Sequence, residues 1–114
     1  MNTLNAGDAI ITYNESESSI TFEGSLRLAN MKEYSVVSDF LEKSKETSEK
    51  HLTLDLKSLE FLNSSGITTL SLFILNCKKE GNPQITILGS ESWPWQQKSI
   101  ANFKKLWNDV EIDI

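Results

Sequence analysis

The sequence predicts an α/β domain in which a β-hairpin leads into otherwise parallel strands, with helices packed on the sheet. Two observations carry this. Stretches in which apolar residues alternate in twos take turns along the chain with stretches in which they recur at helical spacing. Polar, glycine or proline breaks stand between many of them. The order read this way is β-β-α-β-α-β-α-β, and right-handed crossovers make the later strands parallel. A chain of 114 residues suits one core, so residues 1–114 are expected to form a single domain.

Each element has its own signal. Ala9 to Tyr13 is β-branched and aromatic, Asn14 to Ser18 is a polar break, and Ser19 to Glu23 alternates again before Gly24. Two such runs around a polar loop predict an antiparallel hairpin. Asn30 followed by Glu33 has the spacing of a capping box, and Met31, Tyr34, Val37, Phe40 and Leu41 then recur as one face of a first helix. Leu52 to Leu56 alternates strictly and is the clearest strand. A second helix is expected from about Gly66 to Lys79, with Ile67, Leu70, Ile74 and Cys77 on one side and Gly81-Asn82-Pro83 ending it. Gln84 to Leu88 reads as a strand. A third helix begins near Pro94 and buries Ile100, Phe103, Leu106 and Trp107. Val110 to Ile114 alternates as a terminal strand.

Composition narrows the function. Charged residues make up 24% and hydrophobic ones 39%, a globular balance. The net charge of −5 argues against nucleic acid and against anionic membrane surfaces as partners. No run approaches the roughly 20 apolar residues of a membrane span, and the start lacks the pattern of a signal peptide. With Cys77 the one cysteine, no intrachain disulfide forms, and a reducing cytoplasm is the expected location. No phosphate loop, zinc pattern or catalytic set is present, and His51 and Cys77 each stand alone. Neither a metal, a cofactor nor an enzymatic activity is expected.

The informative stretch runs from Leu54 to Leu70, where a strand passes through a short connection into a helix opening with Asn63-Ser64-Ser65-Gly66. A helix start offers unpaired N–H groups and partial positive charge, so a serine there can cap the helix or, once phosphorylated, present its phosphate to those groups. The run Asp55-Leu56-Lys57-Ser58-Leu59-Glu60-Phe61-Leu62-Asn63-Ser64-Ser65-Gly66-Ile67 resembles the STAS domain of bacterial anti-sigma factor antagonists, and the element order resembles it too. The family's aspartate before the serine is Asn63 here, which keeps size and capping ability but lacks the carboxylate.

The resemblance implies a protein-binding switch in signal transduction and transcription regulation. Its phosphoacceptor would be Ser64, with Ser65 the alternative. Its partner would be an anti-sigma factor that is itself a serine protein kinase, and a PP2C-type phosphatase would reset it. The other readings are a STAS-like scaffold or adaptor that is not phosphorylated, and a small-molecule-sensing module. At helical spacing Leu72 lies opposite the apolar stripe of the second helix. With Thr68 and Thr69 it is expected on an outward, partner-binding side. Trp93-Pro94-Trp95 is expected either to form an aromatic ledge or to staple the third helix to the core.

Overall fold

In the computed structural model, which describes residues 2–48 and 50–114, six strands and three helices follow one another. They are β1 (Asn2–Ala6), β2 (Asp8–Asn14), β3 (Ser19–Leu26), α1 (Ser35–Glu46), β4 (His51–Leu62), α2 (Ser64–Glu80), β5 (Gln84–Leu88), α3 (Pro94–Leu106) and β6 (Glu111–Asp113). The strands form one sheet in chain order. β1, β2 and β3 pair antiparallel, and β3 to β6 pair parallel. Three successive crossovers that step the same way across a sheet place their helices on one face. α2 accordingly packs between α1 and α3.

The core lies between the two layers. Ile11, Ile20, Phe22, Leu52, Leu54, Ile85 and Ile87 point from the sheet into it. The other sheet face carries the alternate residues, among them Thr12, Thr21, Thr53, Asp55 and Thr86, which are half-buried. This alternation of buried and polar positions along each strand is what an antiparallel or one-sided sheet requires.

Four features depart from the sequence expectation. β1 was not foreseen, because Asn2-Thr3-Leu4-Asn5-Ala6 is mostly polar and buries only Ala6 fully. Gly7, with φ at 61°, turns the chain between the paired Ala6 and Ala9. Helix α1 starts at Ser35 rather than after Asn30. The Asn30 side chain accepts the Glu33 N–H at 3.0 Å, so it caps a turn leading into the helix. Met31 therefore falls outside the helical phase and is 42% exposed, while Tyr34, Val37 and Leu41 are buried as expected. Finally, the connection expected after Leu56 is strand, continuing to Leu62. The register against β3 shifts twice there, from Thr21↔Asp55 to Glu23↔Ser58 and from Gly24↔Leu59 to Ser25↔Phe61. Each shift inserts one residue on β4, a β-bulge, and it changes the inward spacing to Leu56, Leu59 and Leu62. A period-of-two reading breaks at these bulges.

β5 pairs with β4 only as far as Asp55, so the extended half of β4 lacks a strand on that side. The start of α3 fills the gap with side chains. Gln96 Nε2 donates to the carbonyls of Leu56 (2.6 Å) and Leu59 (3.1 Å). Trp93 Nε1 donates to Lys57 O at 2.9 Å, and Trp95 Nε1 to Leu59 O at 3.2 Å. Both tryptophans thus fasten α3 to the sheet. Gln96 is fully buried and its Oε1 accepts the Ser90 N–H at 2.8 Å, so all its polar atoms are used.

Replacing Gln96 with leucine strands the Leu56 carbonyl and the Ser90 N–H without their partners. At about 1–3 kcal/mol per buried orphan group, a loss of at least about 2 kcal/mol is expected. Urea unfolding of the Gln96→Leu variant measures it as a lower midpoint at unchanged slope.

Candidate functional site

The site is the junction where β4 hands over to α2. Asn63 is the N-cap, in extended conformation, and its Oδ1 accepts the Gly66 N–H at 3.0 Å. The same oxygen accepts the hydroxyl of Tyr34. Its Nδ2 donates to the carbonyl of Leu28 at 2.8 Å, and its backbone N–H to Leu26 O at 3.3 Å. One amide therefore ties the start of α2 to the segment between β3 and α1. Tyr34 is fully buried, and burial pushes its hydroxyl up from the ordinary range, with the N–H of Leu28 pulling the other way.

This geometry calls for an amide. Both Gly66 and Tyr34 can donate to an oxygen, but the Leu28 carbonyl needs a donor, which an ionised carboxylate does not have. Gly66 is equally constrained. A Cβ there would meet Leu62 Cδ1 and lie 2.7 Å from the Tyr34 hydroxyl. The glycine of the motif thus lets Tyr34 reach the cap.

Because Asn63 caps the helix, Ser64 is not needed for that task. Ser64 is the first residue of α2 and is exposed. Among the described residues no side-chain hydrogen bond occupies its hydroxyl. Ser65 is half-buried and its carbonyl accepts the Thr69 hydroxyl at 2.8 Å. The first turn holds no acidic residue.

The outward side of α2 differs from expectation at one position. Thr68 and Leu72 are exposed, Leu72 by 50%, but Thr69 is buried at 2%. One helical position after Thr68 turns it toward α1, where its hydroxyl bonds back to Ser65 and contacts Met31 Sδ at 3.9 Å. Two residues join this surface that the sequence reading left out. Leu75 is 38% exposed, three positions after Leu72, and the same helical spacing would have placed it there. Met31 arrives only because α1 begins late.

The remaining candidates stay apart from the site. His51 is exposed and bonds to Thr86 Oγ1 at 2.7 Å. Cys77 is buried, and burial pushes its thiol up to about 12, so it stays protonated at neutral pH. Among the described residues no cluster of potential metal ligands occurs, and no helix is long and apolar enough to cross a membrane.

Neither a family model nor a curated protein matches the chain. Solved structures do. One match, with a TM-score of 0.72 and 16% identity, is in the crystal structure of the diguanylate cyclase SiaD in complex with its activator SiaC from Pseudomonas aeruginosa, and covers 99% of this chain and 98% of that one. SiaC of Pseudomonas aeruginosa matches at 0.65 and 18%, covering 100% and 98%. Apo-SiaC from the same organism matches at 0.62 and 16%, covering the whole of both chains. The chain thus has a mixed α/β fold close to that of SiaC from end to end, and at these identities the likeness is one of fold.

An Asn63→Asp variant tests the cap. The Leu28 carbonyl would face a carboxylate oxygen at neutral pH, at a cost of about 1–3 kcal/mol. A lower urea midpoint than wild type at pH 7.5, with an unchanged slope, measures that cost.

Proposed function

We propose that the chain is a regulatory protein-binding module without chemistry of its own, which docks on a partner protein through the start and outward side of α2. The observation that carries this is the character of that helix surface. From Ser64 to Cys77 the sequence has no charged residue, although Ser64, Thr68, Leu72, Leu75 and Asn76 are exposed. Single surface leucines are ordinary, but Leu72 and Leu75 sit one turn apart, beside exposed Met31. A neutral, partly apolar ridge on a chain of net charge −5 suits a protein interface.

The likeness to SiaC supports a partner of the signalling-enzyme kind, since SiaC is an activator of a diguanylate cyclase. A cyclase of that type is the first partner class to test. In this reading the module is a docking subunit that needs no phosphorylation.

The phosphoswitch is a second reading, favoured by the free, exposed hydroxyl of Ser64 beside a helix end that Asn63 already caps. A phosphate there would add about −1.5 to −2 charges at the docking surface. The partner would then be an anti-sigma factor kinase, with a PP2C-type phosphatase removing the group. The two readings share the surface and differ in the modification.

Tagged wild type, Leu72→Asp, Ser64→Ala and Ser64→Asp, each shown to be folded by circular dichroism, separate them. In pull-downs against a co-expressed cyclase or kinase, Leu72→Asp is expected to lose the partner by about tenfold or more, as loss of a central apolar contact does. Retention of the partner by folded Leu72→Asp overturns the docking reading. Intact mass after incubation with kinase and ATP decides the switch: an added phosphate absent from Ser64→Ala, with Ser64→Asp released from the partner, supports it.

A further inference from the structure

We infer that the groove between α1 and α2 accepts a basic amphipathic helix of the partner, an inference that rests on the docking reading above. Ser38 and Glu42 of α1 and Thr69, Leu72, Phe73 and Asn76 of α2 line one cavity of about 140 Å³. Its two banks differ in chemistry. On the α2 bank stands exposed Leu72, with Met31 against Thr69. On the α1 bank Glu42 lines the cavity, and Asp39 and Glu46, three residues before it and four after, lie on the same side of that helix.

The acids are not equally available. Glu42 is held by Lys45 at 2.8 Å, and Lys45 also reaches Glu80 at 2.7 Å across the helix pair. Burial works against the Lys45 charge, and the hydrogen bonds to Glu42 and Glu80 outweigh it, so this cation is committed. Asp39 and Glu46 are exposed, and among the described residues neither enters an ion pair. They leave an acidic edge facing outward beside an apolar one.

A helix lying in a groove of this kind presents apolar side chains to one bank and lysine or arginine to the other. Apolar contacts to Met31 and Leu72 would supply affinity, and the charges to Asp39 and Glu46 would set orientation and rate of encounter. A second copy of this chain is disfavoured as occupant, since it brings another acidic bank and a net charge of −5.

The probe is a synthetic amphipathic peptide of about five helical turns made of leucine and lysine, beside a leucine–glutamate version. Amide shifts in an NMR titration of the full chain are expected at Met31, along α1 and along the first half of α2. Leu72→Asp and the double variant Asp39→Lys/Glu46→Lys should each weaken the leucine–lysine peptide about tenfold, whereas Asp8→Lys/Glu23→Lys, on β2 and β3 away from the helices, should not. Shifts confined to the sheet, undiminished binding to Asp39→Lys/Glu46→Lys, or equal binding of the glutamate peptide overturn the inference. So does a free chain that sediments as a dimer dissolved by Leu72→Asp. A partner lost by Leu72→Asp but kept by Asp39→Lys/Glu46→Lys refutes the basic helix alone and leaves the docking reading standing.

Discussion

The amide of Asn63 is the joint on which the architecture of the site depends. It reaches the segment after β3 through Leu28, the entry to α1 through Tyr34 and the first turn of α2 through Gly66, while the backbone N–H of the same residue reaches the end of β3 through Leu26. The segment from Leu26 to Tyr34 and the first turn of α2 thus meet at one residue. Hydrogen bonds in a buried network polarise one another, and a half-satisfied network is costly, so such a joint specifies one arrangement over its neighbours. The position of Met31 beside Thr69 follows from it, because the segment that carries Met31 is held at Leu28 and Tyr34, on either side of it.

The second constraint is the unequal length of neighbouring strands. β4 extends seven residues beyond its last pair with β5, and those residues carry the chain to the site. A long unpaired edge invites association with other chains unless it is covered. Here side chains of Trp93, Trp95 and Gln96 occupy the carbonyls that a strand would have taken. The third helix thereby stabilises the approach to the second, and the start of α2 is held from both sides of β4.

Much of this was legible in the sequence, and the failures are local. The strict alternation of Leu52, Leu54 and Leu56 and the punctuation at Gly81 gave strand and helix correctly, because one face of each is buried and nothing disturbs the period. The extension of β4 was not legible, since two bulges replace the spacing of two by a spacing of three. β1 was hidden because an edge strand buries little and need not be apolar. The motif from Asp55 to Ile67 placed a strand before a helix start, and β4 and α2 meet there. It did not reveal that Asn63 rather than a serine is the cap, because that assignment depends on Tyr34 and Leu28, which only the fold brings near. Thr69 was misplaced for a related reason: helical spacing gives the angle of a side chain but not the height of the neighbouring helix that covers it.

The amide at position 63 also bears on what the first turn of α2 can tolerate. With Asn63 neutral and no acid among the first helical residues, the partial positive charge of the helix end is opposed by no nearby carboxylate. A negative group brought to Ser64, whether a phosphate on the serine or an acidic side chain of a partner, would meet exposed hydroxyl and N–H donors and no like charge at the cap. An aspartate at position 63 would set a fixed negative charge beside Ser64. The amide thus has two consequences that can be separated. It satisfies the Leu28 carbonyl, which concerns folding, and it leaves the start of α2 neutral, which concerns the exposed surface. Only the first depends on the interior of the protein; the second acts through the surface alone.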